Sequence, residues 1–310
     1  MGLAWWRLEM AALPELEESL LWKLNDLGIS RVAVGHHPET PAERRLIAWL
    51  PQVDWPEQEL PQLERSLAPL AATFDLELPP IQWTQQLDED WSLAWKQHWQ
   101  PDPVGERLLI LPAWLELPAE YADRLVIRMD PGSAFGTGSH PTTRLCLEAI
   151  EGLAAARGHR SGGPPNLGPI RVADLGCGSG ILGLAALLQG AKSLAAVDTD
   201  PLAVRASREN LASSRVEAAF EVGQGSVETL ATLLEGQPAD LLLCNILAPV
   251  IEALCPAFHT LLAADGVGLL SGLLVDQAPG LQQALAAEGW RAELSAQQGR
   301  WGLMVLHKAH

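Results

Sequence analysis

The sequence predicts an α/β protein in which a seven-stranded, doubly wound, mainly parallel sheet is preceded by a small α+β domain. Three observations carry that expectation. From residue 170 onward, short apolar runs alternate with helical patterns, as strands joined by crossover helices do. The first of these runs, VADLGCGSGILGLAAL, passes through a glycine-rich turn where a strand hands over to a helix. The first stretch of the chain follows the order β-α-β-β-α-β; this is the split βαβ of ferredoxin-like domains, a fold that by itself implies no function.

An extended stretch over 3–10 opens the chain, followed by a helix over 14–27, strands at 31–35 and 45–50, a helix over 57–72 and a strand at 81–84. Trp91, Trp95 and Trp99 in DEDWSLAWKQHWQP then recur every four residues, so a helix places all three indoles on one face. Pro101 and Pro103 stop that helix. The stripe reads as packing that ties down a linker. Two strand-like runs, 107–111 and 124–129, lead into DPGSAFGTGSHPTT, a loop before a helix starting near Pro141. Residues 158–169, GHRSGGPPNLGP, are so rich in glycine and proline that a surface insertion without regular structure is expected.

Beyond it come the strand IRVADL, a helix to Leu188, SLAAVD, a helix from Pro201, EAAFEV, a short helix, ADLLLCNI, a helix from Pro249, GVGLLSGL and a helix over 276–288. The last two strands, 291–296 and 302–307, fit a hairpin that closes one edge of the sheet with an antiparallel strand. The expected division is a small domain over 1–86, a Trp-rich helical linker over 87–104 and the large domain over 105–310.

Composition supports two domains: 310 residues exceed what one core usually fills, and 48 % hydrophobic residues with 19 % charged ones exclude wholesale disorder. A formal charge of −17, from 38 acidic and 21 basic residues, repels a long polyanion, so no direct nucleic-acid partner is expected. A basic protein or a cationic amine is attracted, although such acidity is also a common means of staying soluble. Cys146, Cys177, Cys244 and Cys255 form no CxxC pair and no metal-ligand spacing with histidine; no metal is expected, and the thiols suit a reducing compartment. The N-terminus lacks a basic segment leading into a long apolar run, and no apolar stretch reaches the roughly 18 residues of a membrane span, so a cytoplasmic, membrane-free protein is expected.

Three pieces carry chemistry. The loop after Asp174 reads G-x-G-x-G through Gly176, Gly178 and Gly180, and Ile181 stands where a dinucleotide fingerprint has its last glycine. Glycine there lets the backbone turn and a ligand approach; another nucleotide cofactor, or a turn with no cofactor, fits the loop alone. In AAVDTDP, Asp198 ends the second strand, where a carboxylate can accept both hydroxyls of a ribose, while Asp200, directly before Pro201, suits a helix cap. In ADLLLCNILAP, Asn245 emerges at the end of the fourth strand. Its amide oxygen can hold an amine without adding charge, and a plain turn residue is the other reading. His140, beside Pro141, reads as a helix start, with a catalytic base as the alternative.

DPGSAFGTGSHPTTRLCL, DLGCGSGILGLAAL, AVDTDPLAV and CNILAPVI, in this order, resemble the motifs of the ribosomal protein L11 methyltransferase family, and DEDWSLAWKQHW resembles its linker. The resemblance spans most of residues 88–280 and implies a methyltransferase-type (Rossmann-like) sheet, with the ferredoxin-like start as a substrate-recognition domain. It implies S-adenosyl-L-methionine as cofactor, held by Thr143, Gly176, Asp198 and Asn245, with Asn245 also the candidate for orienting the amine. It further implies ribosomal protein L11 as substrate, modified on lysine or N-terminal amines; a monomer is expected. Ser139 and Leu273 stand where the family more often has threonine and isoleucine. The rival expectations are methylation of another protein or a small amine, a nicotinamide-dependent oxidoreductase, which the G-x-G-x-G loop disfavours, and a non-catalytic binding module, which the intact ligand set disfavours.

Overall fold

The computed structural model describes residues 4–29, 31–36, 44–87, 99–129, 138–214, 216 and 219–309. These form two compact units, one from the described residues up to Pro101 and one from the described residues from Asp102 onward.

The first unit contains β1 (Ala4–Ala11), α1 (Glu17–Asp26), β2 (Val32–His36), β3 (Arg44–Pro51), α2 (Leu60–Ala72) and β4 (Gln82–Leu87). Its sheet has the order β2-β3-β1-β4 with every pairing antiparallel, the ferredoxin-like arrangement the element order predicts. Alternation along β1 sends Trp6, Leu8 and Met10 into one core with Leu20 and Leu24 of α1 and Leu63 and Leu67 of α2. Glu17, buried at the start of α1, is paired with the Arg44 guanidinium at 3.0 Å, as a carboxylate removed from water requires. Of the tryptophan stripe, Trp91 and Trp95 lie outside the described residues; the Trp99 indole N–H donates to the Val32 carbonyl at 3.4 Å.

The second unit opens with β5 (Asp102–Val104), β6 (Leu108–Pro112) and β7 (Leu125–Met129), a three-stranded sheet in which β5 is antiparallel and β7 parallel to β6. Residues 102–104 are therefore strand, where the sequence suggested the end of the linker. Pro103 hides this strand, because proline cannot donate to a ladder and is tolerated only at an edge such as this. The edge is fastened to α3 (Pro141–Ser161): the Arg144 guanidinium lies 2.8 Å from the Asp102 carboxylate and donates to the Pro103 carbonyl at 2.9 Å.

There follow β8 (Arg171–Leu175), α4 (Ile181–Leu188), β9 (Ser193–Asp198), α5 (Pro201–Ser213), β10 (Ala219–Gln224), α6 (Val227–Leu233) and β11 (Ala239–Asn245). Then come α7 (Ala248–Leu254), α8 (Phe258–Leu261), β12 (Leu262–Leu274), α9 (Ala278–Ala287), β13 (Trp290–Gln298) and β14 (Trp301–Lys308). The seven strands take the order β10-β9-β8-β11-β12-β14-β13. All run parallel except β14, which is antiparallel to both neighbours. The antiparallel strand therefore sits inside the sheet, with β13 as the edge. Burial explains the placement. WGLMVL of β14 is a nearly continuous apolar run, as a strand covered on both faces must be, whereas β13 exposes Arg291, Glu293, Gln297 and Gln298.

The 158–169 segment is irregular and mostly exposed from Gly162 onward, as expected, but it begins as the last turn of a helix. α3 continues to Ser161 and stops at Gly162 in the left-handed conformation, and Leu167 is buried. Gly158 makes the return possible: a Cβ there would strike the Pro164 carbonyl, so only glycine lets the chain fold back over its own helix. No helix among the described residues is long and apolar enough to cross a membrane.

Candidate active site

The carboxyl ends of β8, β9 and β11 and the start of α3 meet at one edge of the large sheet, where open α/β sheets bind ligands. β8 ends at Leu175, and the chain turns at once through Gly176, with φ of 76°. A side chain at Gly176 would also strike the Ile246 side chain just beyond β11. The turn is held from behind, since the amides of Gly176 and Cys177 both donate to the Val197 carbonyl, at 2.9 and 3.0 Å. α4, apolar on every side, is buried as such helices must be and fixes the far end of the loop.

Asp198 closes β9. One carboxylate oxygen accepts from the Gly178 amide at 2.9 Å and the other from the Asp200 amide at 3.0 Å. Asp200 instead accepts from the Leu202 amide at 2.8 Å and caps α5. Asp200 thus takes the helix-cap role the sequence suggested, while Asp198 is turned to the glycine loop. Asn245 closes β11, and its Nδ2 donates to the Thr143 hydroxyl at 3.4 Å. Thr143 is buried in the first turn of α3. A continuous path of contacts therefore runs from Thr143 through Asn245 and Ile246 to Gly176, Gly178 and Asp198, bringing together all four residues singled out as cofactor ligands.

His140 is the N-cap of α3: its Nδ1 accepts from the Thr142 amide at 3.3 Å and lies 2.8 Å from the Thr142 hydroxyl. Its ring meets Trp301 edge-on at 4.7 Å. Burial lowers its pKa to about 4, so it is neutral at pH 7 and far too weak a base to deprotonate an ammonium. The helix-start reading holds, and the catalytic-base alternative loses its chemistry.

Asp174, in the glycine-loop strand, is a group whose state the sequence did not disclose. It is fully buried, and Oδ2 accepts from the Gly183 amide at 3.2 Å. Burial, the largest influence, pushes its pKa up to about 7, with that hydrogen bond opposing. The thiols of Cys146, Cys177 and Cys244 are likewise buried and pushed well above their ordinary pKa by desolvation; such thiols are inert.

The sequence profile described as ribosomal protein L11 methyltransferase (PrmA) matches residues 4–309. A ribosomal protein L11 methyltransferase of Synechococcus sp. (strain RCC307) is 58 % identical over 306 residues, covering 99 % of this chain and 98 % of its own. That of Parasynechococcus marenigrum (strain WH8102) is 61 % identical over 300 residues, covering 96 % of this chain and 100 % of its own. Among solved structures, the ribosomal protein L11 methylase of Lactobacillus delbrueckii subsp. bulgaricus aligns with a TM-score of 0.57 at 31 % identity, over 68 % of this chain and 100 % of that one. Matched along nearly its whole length, and carrying the methyltransferase strand order, this chain belongs to the ribosomal protein L11 methyltransferase family.

Proposed function

We propose that this methyltransferase uses S-adenosyl-L-methionine to methylate lysine or N-terminal amines of ribosomal protein L11, at the cleft where Thr143, Gly176, Asp198 and Asn245 meet. The observation that supports this best is the unbroken path of contacts linking those residues. The donor set fits the cofactor. Each oxygen of Asp198 gives one lone pair to a backbone amide and keeps another, enough to accept both hydroxyls of a ribose. Gly176 leaves bare backbone at the strand end, with Ile246 packed behind it.

The bound cofactor supplies an electrophilic methyl group on a sulfonium. Asn245 then has one task. Its Nδ2 is committed to Thr143, so Oδ1 accepts a hydrogen bond from the incoming amine and leaves the nitrogen lone pair free. An uncharged amide suits that role, because a carboxylate in its place would stabilise the unreactive ammonium. The amine must arrive neutral: the reference pKa is about 10.4 for lysine and about 7.7–8.0 for an α-amine, so lysine sheds its proton to solvent before reacting. Transfer of that methyl group to the amine would release S-adenosylhomocysteine as the leaving group, and the amine's surplus proton would pass to water. Orientation in such a cleft can contribute about 7–11 kcal/mol.

In this reading the domain over residues 1–86 recognises the ribosomal protein, and the Trp-rich linker presents the acceptor to the cleft. The test is incubation of the full chain with purified ribosomal protein L11 and methyl-labelled cofactor, followed by mapping of the methylated nitrogens by mass spectrometry. Label on L11 amines is expected. Label confined to other ribosomal proteins or to free amines, supplied in parallel, would redirect the assignment to one of those acceptors.

A further inference from the structure

Seven large hydrophobic side chains stand exposed among the described residues, and only Leu247 and Val250 lie within three positions of each other. They are 50 % and 43 % exposed and begin two residues past Asn245. Leu247 is the N-cap of α7, and Val250 lies in its first turn. The Val250 amide donates to the Leu247 carbonyl at 2.9 Å, which holds the two residues close together. The helix does not need this pair for its own packing, because Ala248 and Ile251 already bury its inner stripe in the core.

The choice of residue also runs against local preference. An N-cap favours Ser, Thr, Asp or Asn, whose side chain satisfies a free amide of the first turn; Leu247 makes no such bond. An apolar residue kept in water, where a polar one is locally better, marks a position selected for something other than stability. Its continuity with the site indicates what. Asn245, Ile246 and Leu247 are consecutive, and Ile246 packs at Gly176, so the exposed pair begins two residues beyond the amide proposed to receive the amine.

We propose that Leu247 and Val250 form an apolar lip for the methylene stem of the substrate lysine, delivering its ε-nitrogen to Asn245 Oδ1. The inference rests on the function proposed above and adds to it a determinant of acceptor preference. A lysine lays its stem along apolar surface while its nitrogen reaches a polar group. An acidic chain, at a formal −17, draws in the cationic form of that side chain. An α-amine has no such stem and gains nothing from the lip.

The test measures KM and kcat for methylation of L11 lysines by the full chain and by Leu247→Ser, Leu247→Gln, Leu247→Met and Val250→Ser. Losing the burial of two to three methylene groups corresponds to a rise in KM of roughly fifteen- to sixty-fold. That rise is expected in the serine and glutamine variants, with Leu247→Met within about twofold of wild type because thioether and leucine are both apolar. Cofactor affinity should not change, and the unfolding midpoint of Leu247→Ser should be unchanged or raised, since serine adds a cap. A merely structural role would not produce this split between polar and apolar substitutions. Unchanged KM for lysine in both Leu247→Ser and Val250→Ser overturns the lip while leaving the methyltransferase assignment intact. A wild-type chain that places no methyl group on any lysine overturns the proposed acceptor and the lip together.

Discussion

Asn245 and Thr143, 102 residues apart in the chain, are joined by a hydrogen bond of 3.4 Å from the amide nitrogen to the hydroxyl. That bond bears on which way the amide faces: with its nitrogen given to Thr143, the oxygen is the atom left for the acceptor in the function proposed above. Thr143→Val keeps the β-branched shape and removes only the hydroxyl. A fall in kcat of about ten- to a hundred-fold is expected, the scale of a small misorientation at a reacting centre, with little change in unfolding midpoint. Steady-state kinetics check it. A kcat within twofold of wild type would show that the amide is oriented by something else.

Asp198→Ala removes an acceptor that serves both the glycine loop and the proposed ribose. Hydrogen bonds to a charged group contribute about 1.5–3 kcal/mol each, so losing two ribose contacts should weaken cofactor binding by at least about a hundred-fold. Calorimetric titration with S-adenosyl-L-methionine reads this directly. Asp198→Asn, which keeps one acceptor for the Gly178 amide, should fall between alanine and wild type. Unaltered affinity in the alanine variant removes Asp198 from the cofactor site.

Asp174 and His140 make opposite contributions to the pH dependence of stability. Asp174, with a pKa of about 7 when folded against an ordinary 3.8, holds a proton in the folded chain that the unfolded chain has released. Its contribution is fully present below about 3.8 and is lost as pH rises to about 7. His140, with a pKa of about 4 when folded against 6.5, stays neutral where the unfolded chain is charged. Its contribution is present above about 6.5 and is lost as pH falls to about 4. Between these limits the two slopes nearly cancel. Asp174→Asn should therefore expose the His140 slope, with stability dropping by up to about 1.4 kcal/mol per pH step on acidification. His140→Asn, which retains a capping oxygen, should expose the reverse slope. Urea midpoints at several pH values test both, and variant curves that merely parallel the wild type would refute the assignment.

Much of this architecture was legible because it is written in periodicity. Apolar runs alternating with helical patterns set the order of the large sheet, and the polar residues ending those runs, Asp198 and Asn245, mark the edge proposed to bind the cofactor. What stayed hidden depends on contacts between distant segments. Pro103 argues locally against a strand, yet Arg144 fastens one there. Glycines over 158–169 suggest a surface insertion without regular structure, and they do not reveal that Gly158 is small because the Pro164 carbonyl crosses over it. The continuous apolar run of β14 was a usable sign that this strand lies inside the sheet, and chain order alone points to the edge. The neutral state of Asp174 at the lower end of physiological pH follows from burial, which no local motif displays.

The first unit has a core of its own, in which Leu8, Met10, Leu20, Leu24, Leu63 and Leu67 pack together without residues of the large sheet. Its removal should therefore leave the second unit's core standing. Deletion of residues 1–86 is expected to keep cofactor affinity within a few-fold and to keep transfer to a free amine at high concentration, because the path from Thr143 to Asp198 lies wholly in the second unit. Transfer to ribosomal protein L11 should fall on the order of a hundred-fold, the effect of losing a tethered second contact. The two assays separate recognition from chemistry. Loss of both activities with intact cofactor binding would make the first unit part of the catalytic apparatus, and undiminished methylation of L11 would deny it any part in recognition.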